Sequence, residues 1–213
     1  MKIQSPEESE HMIFQWCAEY NLSLIIKFHN VLLRYLMYKV AEIDESLNAT
    51  KDHQKCISLA CEKAVYAEVF DEELRRVTFL LIYAHTEEWF FLLWKEYAPD
   101  CQLGSKDGSI QRFKPVLKKL GFDLSKDKNW QFLCDAEKIR NCLLHANGRP
   151  SLMRSPNEIK RIVNSHKNTL EIKVGRIRIT GEFLNKFKNS IEAVIAVTKE
   201  KTDSMGQQRT KAE

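Results

Sequence analysis

Apolar residues recur every three or four positions along most of the chain, and the breaks between these runs outline a helical protein. A short amphipathic helix is expected over 6–20. A longer one follows over 22–47, where Leu24, Ile25, Phe28, Leu32, Leu36 and Val40 fall near helical spacing. Residues 52–98 read as one or two helices. The second half is dense in apolar and aromatic side chains (Phe79, Leu80, Tyr83, Trp89, Phe90, Phe91, Trp94), which predicts a central helix contacted on several sides. Pro99 stops it. Beyond a polar loop over 104–109, which holds Lys106, Asp107 and Gly108, a short helix over 110–120 ends at Gly121.

Asp127 or Asn129 stands ready to cap the next helix, which carries Trp130, Phe132, Leu133, Ile139, Leu143 and Leu144. Asn147-Gly148 ends that helix and Arg149-Pro150 bars its continuation. A short helix is predicted over 157–165. The period then becomes alternating: Leu170, Ile172 and Val174 precede Gly175, and Ile177 and Ile179 follow it, so 169–180 reads as a β-hairpin. A last helix from Glu182 to about Thr198 buries Phe183, Phe187, Ile191 and Val194, and the polar tail over 199–213 is expected to be disordered. The expected fold is mainly α, a helical bundle with a small C-terminal β-hairpin, in a single domain over 1–198.

Composition sharpens this picture in a few places. Only 7 glycines and 5 prolines in 213 residues favour long helices over a turn-rich sandwich or barrel. A formal net charge of +4 is compatible with a polyanionic partner, yet it is far from that of a dedicated nucleic-acid coat. Residues 1–10 show no basic-then-apolar leader, and the apolar stretches 77–84 and 89–94 fall short of the roughly 18 residues a spanning helix needs. A cytosolic chain with no membrane partner is therefore expected. The six cysteines form no Cys-x-x-Cys pair and no Cys/His zinc spacing, so free, mostly buried thiols are expected, with no metal and no cofactor.

Chemistry concentrates in the segment Glu137-Lys-Ile-Arg-Asn-Cys-Leu-Leu-His-Ala-Asn-Gly-Arg-Pro150. Arginine and histidine at this spacing carry little weight alone, since Arg161 and His166 repeat it. Asn141 beside Arg140, the shared helix, and the abrupt stop behind His145 set this pair apart. Residues five apart on a helix diverge by about 140°, so Arg140 and His145 flank a groove, whereas Asn141 lies one turn from His145 on its own face. His145 falls in the last turn, where open carbonyls and the negative end of the helix dipole favour a cation. Arginine can grip a phosphate through two parallel hydrogen bonds and offset charge on a phosphorane, and histidine can move a proton. Such a set suffices for RNA cleavage in which the RNA's own 2′-OH attacks the adjacent phosphate.

The run Ile139-Arg-Asn-Cys-Leu-Leu-His-Ala-Asn-Gly148 resembles the motif of HEPN domains, an arginine, often a polar residue directly after it, and a histidine four to six positions on. The order of elements over about 77–198 is similar as well: a long apolar helix with an embedded acid, the motif helix, a short hairpin and a closing helix. The resemblance implies a metal-independent endoribonuclease of toxin, phage-defence or RNA-processing type, with RNA as substrate. It implies a homodimer whose two motif helices share one cleft, and an antitoxin as a further partner. It assigns His145 to acid/base work, Arg140 to the phosphate, and Asn141 to orienting either group. It also implies an acid near Arg140 from the preceding helix, Glu87 or Glu88, with Glu87 preferred because Tyr83, Glu87 and Phe90 share a stripe. HEPN toxins silenced by a partner nucleotidyltransferase carry a tyrosine two residues after the histidine, where this chain has Asn147.

Each feature also has a plain structural account. Arg140 can pair with Glu137 one turn away, His145 can cap its own helix end, and one of Glu87 and Glu88 can face water. The aromatics over 89–94 suit a core or a dimer interface better than base stacking. The lysines and arginines at 118, 119, 126, 128, 149 and 154 flank the motif segment and could line an RNA path, with scattered surface charge as the simpler account. A non-catalytic module that binds RNA or a nucleotide, or a helical dimerisation adaptor, is the alternative function.

Overall fold

Helix α1 runs unbroken from Pro6 to Ala49 over 44 residues, where the apolar spacing suggested two helices. Asn21 at the expected break is only a weak helix former, a penalty of a fraction of a kcal/mol per residue, and no glycine or proline interrupts the run. The computed structural model describes residues 6–105, 109–122, 124 and 126–209, so Lys106, Asp107, Gly108 and residues 210–213 lie outside the described residues.

Asp52 turns the chain back by accepting the Gln54 N–H (2.9 Å) and the Lys55 N–H (3.3 Å), which opens α2 (His53–Ala64). A π-helical turn over Val65–Phe70 leads directly into α3 (Asp71–Tyr97), so this stretch is one continuous helical run. It lies antiparallel to α1. Lys63 Nζ meets Asp44 Oδ1 at 2.5 Å, and further along α3 the Thr78 hydroxyl and His29 Nδ1 are 2.9 Å apart. Neither α2 nor the π turn buries a residue, whereas α3 buries Phe79, Ile82, Tyr83, Trp89, Phe90 and Leu93.

The core forms where α3, α5 (Lys128–Ala146) and α7 (Gly181–Arg209) converge. Phe79 packs on Phe187 (ring centroids 4.8 Å) and Phe183 (5.7 Å), Phe132 packs on Phe183 (5.3 Å), and Phe90 reaches Trp130 (5.9 Å) and Phe113 (5.8 Å). Phe113 belongs to a 3-10 turn over Ile110–Phe113, begun by the Ser109 hydroxyl accepting the Gln111 N–H (3.1 Å), which leads into the short α4 (Lys114–Lys119).

After α6 (Pro156–Ser165), strands β1 (Leu170–Lys173) and β2 (Arg176–Ile179) pair antiparallel, with Leu170 opposite Ile179 and Ile172 opposite Ile177. Val174 and Gly175 both adopt positive φ (50° and 74°), as a type I′ hairpin turn requires. A mainly helical bundle with a small C-terminal hairpin is thus the observed architecture, as expected.

Two boundaries and one burial pattern differ from the expectation. The last helix ends at Arg209, beyond Thr198, because 199–209 is rich in Lys, Glu, Met, Gln and Arg and has no proline, which offsets the weaker Thr202, Asp203, Ser204 and Gly206. Among the cysteines with described side chains only Cys142 is buried, while Cys61 is exposed and Cys56, Cys101 and Cys134 are partly covered. Cys56 and Cys61 lie on α2, which packs mainly against α1 and buries no residue, so it does not enclose them. Among the described residues no helix is long and apolar enough to cross a membrane.

Candidate active site

Helix α5 starts where Asp127 Oδ1 accepts the Trp130 N–H at 2.7 Å, so Asp127 and not Asn129 is the cap. It ends with Asn147 in the left-handed region (φ 49°) and Gly148 at φ 74°, with the Gly148 N–H reaching back to the Cys142 carbonyl at 3.0 Å. Arg76 of α3 donates to the Leu143 carbonyl at 2.8 Å, and the Ile177 N–H of β2 donates to the Gly148 carbonyl at 2.8 Å. The end of the motif helix is therefore pinned from α3 on one side and from the hairpin on the other. Asn147 thus serves as the helix terminator.

Arg140 lies about two-thirds of the way along α5, and its guanidinium is braced from three directions. The Glu87 carboxylate on α3 stands 3.7 Å from Nη2, Asn141 Oδ1 accepts from Nη1 at 2.9 Å, and the Tyr83 ring lies beneath it, 5.3 Å from the ring centroid. Tyr83 and Glu87 are one turn apart on α3 and face α5 together. Glu88 is exposed on the other side of α3. Arg140 pairs with Glu87 across the seam and not with Glu137, its neighbour along the helix. The arginine side chain stays 23% exposed, so it is held without being sealed.

His145, in the last turn of α5, is exposed and among the described residues takes no hydrogen-bond or ion-pair partner. Asn141 orients Arg140 and not the histidine. The second Arg/His pair has a structural fate: His166 ends α6 with its Nε2 3.4 Å from Asp135 Oδ2 and its ring edge against Phe132 (5.3 Å), while Arg161 is exposed.

Three further residues converge here that the sequence did not single out for the site. Tyr83 reads as core, yet its ring carries Arg140. Arg112, from the 3-10 turn, lies over Phe113 (4.7 Å) and close enough to Glu87 to favour its ionised form. Glu137 is only 6% exposed, and its Oε2 has no hydrogen-bond partner among the described residues. Burial pushes the Glu87 carboxyl above the usual carboxylate range; Arg140 and Arg112 pull it down, and Glu137 adds to the rise. Burial, with the carboxylates of Glu137 and Glu87, likewise raises the Tyr83 phenol.

Chemically, the arrangement offers one fixed guanidinium at the floor of the α3–α5 seam and one unengaged imidazole at its end. The first suits an anion and the second a proton transfer. Among the described residues no three His, Cys, Asp or Glu side chains cluster in a way that would hold a metal ion. No family model, curated protein or solved structure matches this chain.

Proposed function

We propose that this chain is a HEPN-type endoribonuclease that cleaves RNA without a metal. The observation that carries the reading is the state of Arg140 and His145 on one pinned helix. Arg140 is braced by Glu87, Tyr83 and Asn141 yet open to solvent, and His145 is exposed with nothing occupying its ring. In the reaction the 2′-oxygen forms a bond to phosphorus and the bond to the 5′-oxygen breaks, leaving a 2′,3′-cyclic phosphate and a 5′-hydroxyl. Arg140 offsets charge on the phosphorane oxygens, and His145 takes the 2′-OH proton or supplies one to the departing 5′-oxygen. Glu87 holds Arg140 in place.

Both proton transfers call for two histidines, which a homodimer provides when two copies of α5 face one cleft. In support, Val77, Leu81 and Phe91 on α3 and Leu144 on α5 are large apolar residues left exposed. On α3 they stand one position along from Arg76, Leu80 and Phe90, the stripe that packs toward the core and α5. This surplus apolar surface is available to a second copy, as a cleft shared by two His145 side chains would need. An antitoxin would act by occupying that cleft. Toxin, phage-defence or RNA-processing roles all draw on this chemistry, and a cytoplasmic site of action fits an RNA substrate.

The pairing with Glu87 supports a second reading, in which the site binds RNA or a nucleotide without cleaving it, or the chain is a dimerisation adaptor, because the carboxylate competes with a phosphate for Arg140. Product analysis separates the two. Cleavage of a synthetic RNA should yield 2′,3′-cyclic phosphate ends in the presence of chelator and should stop when the nucleotide 5′ to the cut is 2′-deoxy. Binding of the same RNA without any cut would leave the module reading standing.

A further inference from the structure

Helix α1 presents a second apolar row on the face turned away from α3. Leu24, Phe28, Val31, Tyr35 and Tyr38 repeat at intervals of four and three, and each is between 43% and 64% exposed. The helix already buries its other face, with Leu22 and Ile43 in contact with the bundle and Ile25, Ile26, Leu32, Leu33 and Leu36 partly covered. The exposed row is therefore surplus to the fold of one chain. It runs about 21 Å along the helix, with the seam periodicity that one helix offers another. Five half-exposed side chains amount to roughly 500 Å² of apolar surface, most of the ~800 Å² per side of a stable interface.

The charges beside the row narrow the occupant. Lys27 and Arg34, both exposed and seven residues apart, border it on one flank, and Lys39 stands on the other, tied to Glu42 at 2.8 Å. A second copy of α1 laid antiparallel on the row brings Lys27 and Arg34 against the same two cations, and a parallel copy sets Arg34 near Lys39. Both arrangements repel. Single-stranded nucleic acid matches the charge, but it stacks on aromatic platforms along a groove, and here Leu24 and Val31 interrupt the aromatics on a convex helix.

We propose that the Leu24-Phe28-Val31-Tyr35-Tyr38 row of α1 is a docking surface for an amphipathic helix of another protein, with apolar residues at heptad spacing and acidic residues on its flanks. The surface is independent of Arg140 and His145, so it stands whether or not the chain cleaves RNA.

The test titrates the full-length protein into labelled designed peptides of about four heptads, Leu at a and d, with Glu at e and g in one and Lys in the other. The Glu peptide cannot pair with itself, so its binding reports the row. The Glu peptide should bind, Tyr35→Glu should weaken it at least tenfold without changing the circular dichroism melt, and the Lys27→Glu/Arg34→Glu double variant should switch preference to the Lys peptide. The proposal is overturned by absence of peptide binding, by equal binding of both peptides, or by binding indifferent to Tyr35→Glu. It is equally overturned if a uridine oligonucleotide occupies the row in place of the peptide, or if sedimentation shows a dimer that Tyr35→Glu dissolves.

Discussion

The Glu87 carboxylate faces the Arg140 guanidinium at 3.7 Å across the seam between α3 and α5, joining residues 53 positions apart in sequence by 140 − 87. Sidedness follows from it. Glu87 stands by Nη2, Asn141 holds Nη1 and the Tyr83 ring covers one face, so an anion must approach Arg140 from the sides these groups leave open. Replacing Glu87 by Ala should free the side chain to sample other rotamers, and RNA cleavage should drop by about a hundredfold, the scale set by misplacing a catalytic group by ~1 Å. Single-turnover cleavage rates of the two proteins check it.

The same residue predicts a pH effect on stability. Burial raises the Glu87 carboxyl in the folded chain above the usual carboxylate range, so folding favours the protonated form. That contribution is complete below the unfolded value and is lost as pH rises through the folded one. Gln is neutral throughout. The melting temperature of Glu87→Gln should therefore gain on that of the parent chain as pH climbs from about 4 to about 7. A gap that narrows over this range would show that the Arg140 ion pair outweighs burial.

Tyr83 supplies a ring face to Arg140, and that face needs no hydroxyl. Tyr83→Phe should keep cleavage within about threefold, whereas Tyr83→Leu, which retains bulk but removes the π surface, should lose roughly tenfold, on the scale of a desolvated cation–π contact. Equal rates for the two variants would remove the ring from the account.

Gly148 sits at φ 74°, and a Cβ there would stand 3.4 Å from Leu143 Cδ2. Gly148→Ala should cost about 1–2 kcal/mol through the left-handed backbone. Because the Gly148 carbonyl also anchors β2, the loss should appear as earlier hydrogen exchange at the Ile177 N–H than at core amides of α3.

Much of this was legible in the residues, and the failures have physical reasons. The limits of α5 follow from local chemistry, Asp127 at its start and Asn147-Gly148 at its end, and the hairpin from a change of period around Gly175. Glu87 was preferable to Glu88 because it shares a stripe with Tyr83, and the pairing with Arg140 follows that stripe. By contrast, the single long α1 needed packing to outvote the weak propensity of Asn21. Arg112 and Glu137 escaped notice for different reasons. Arg112 arrives from a 3-10 turn whose position depends on Phe113 entering the core, a long-range outcome with no local signal. Glu137 was visible only as a helix neighbour of Arg140, and the preference of that arginine for Glu87 depends on how α3 meets α5.

The central claim is that His145 moves a proton during RNA cleavage, and one comparison tests it most directly. His145 is exposed and unengaged, so His145→Ala should leave the melting temperature within about a degree, since surface changes of this kind stay within ~0.5 kcal/mol. The measurement is the cleavage rate of one defined RNA by the parent chain and by His145→Ala, each purified to the same standard. The account predicts a loss of about a hundredfold or more with stability unchanged; cleavage at the parent rate by His145→Ala would contradict it.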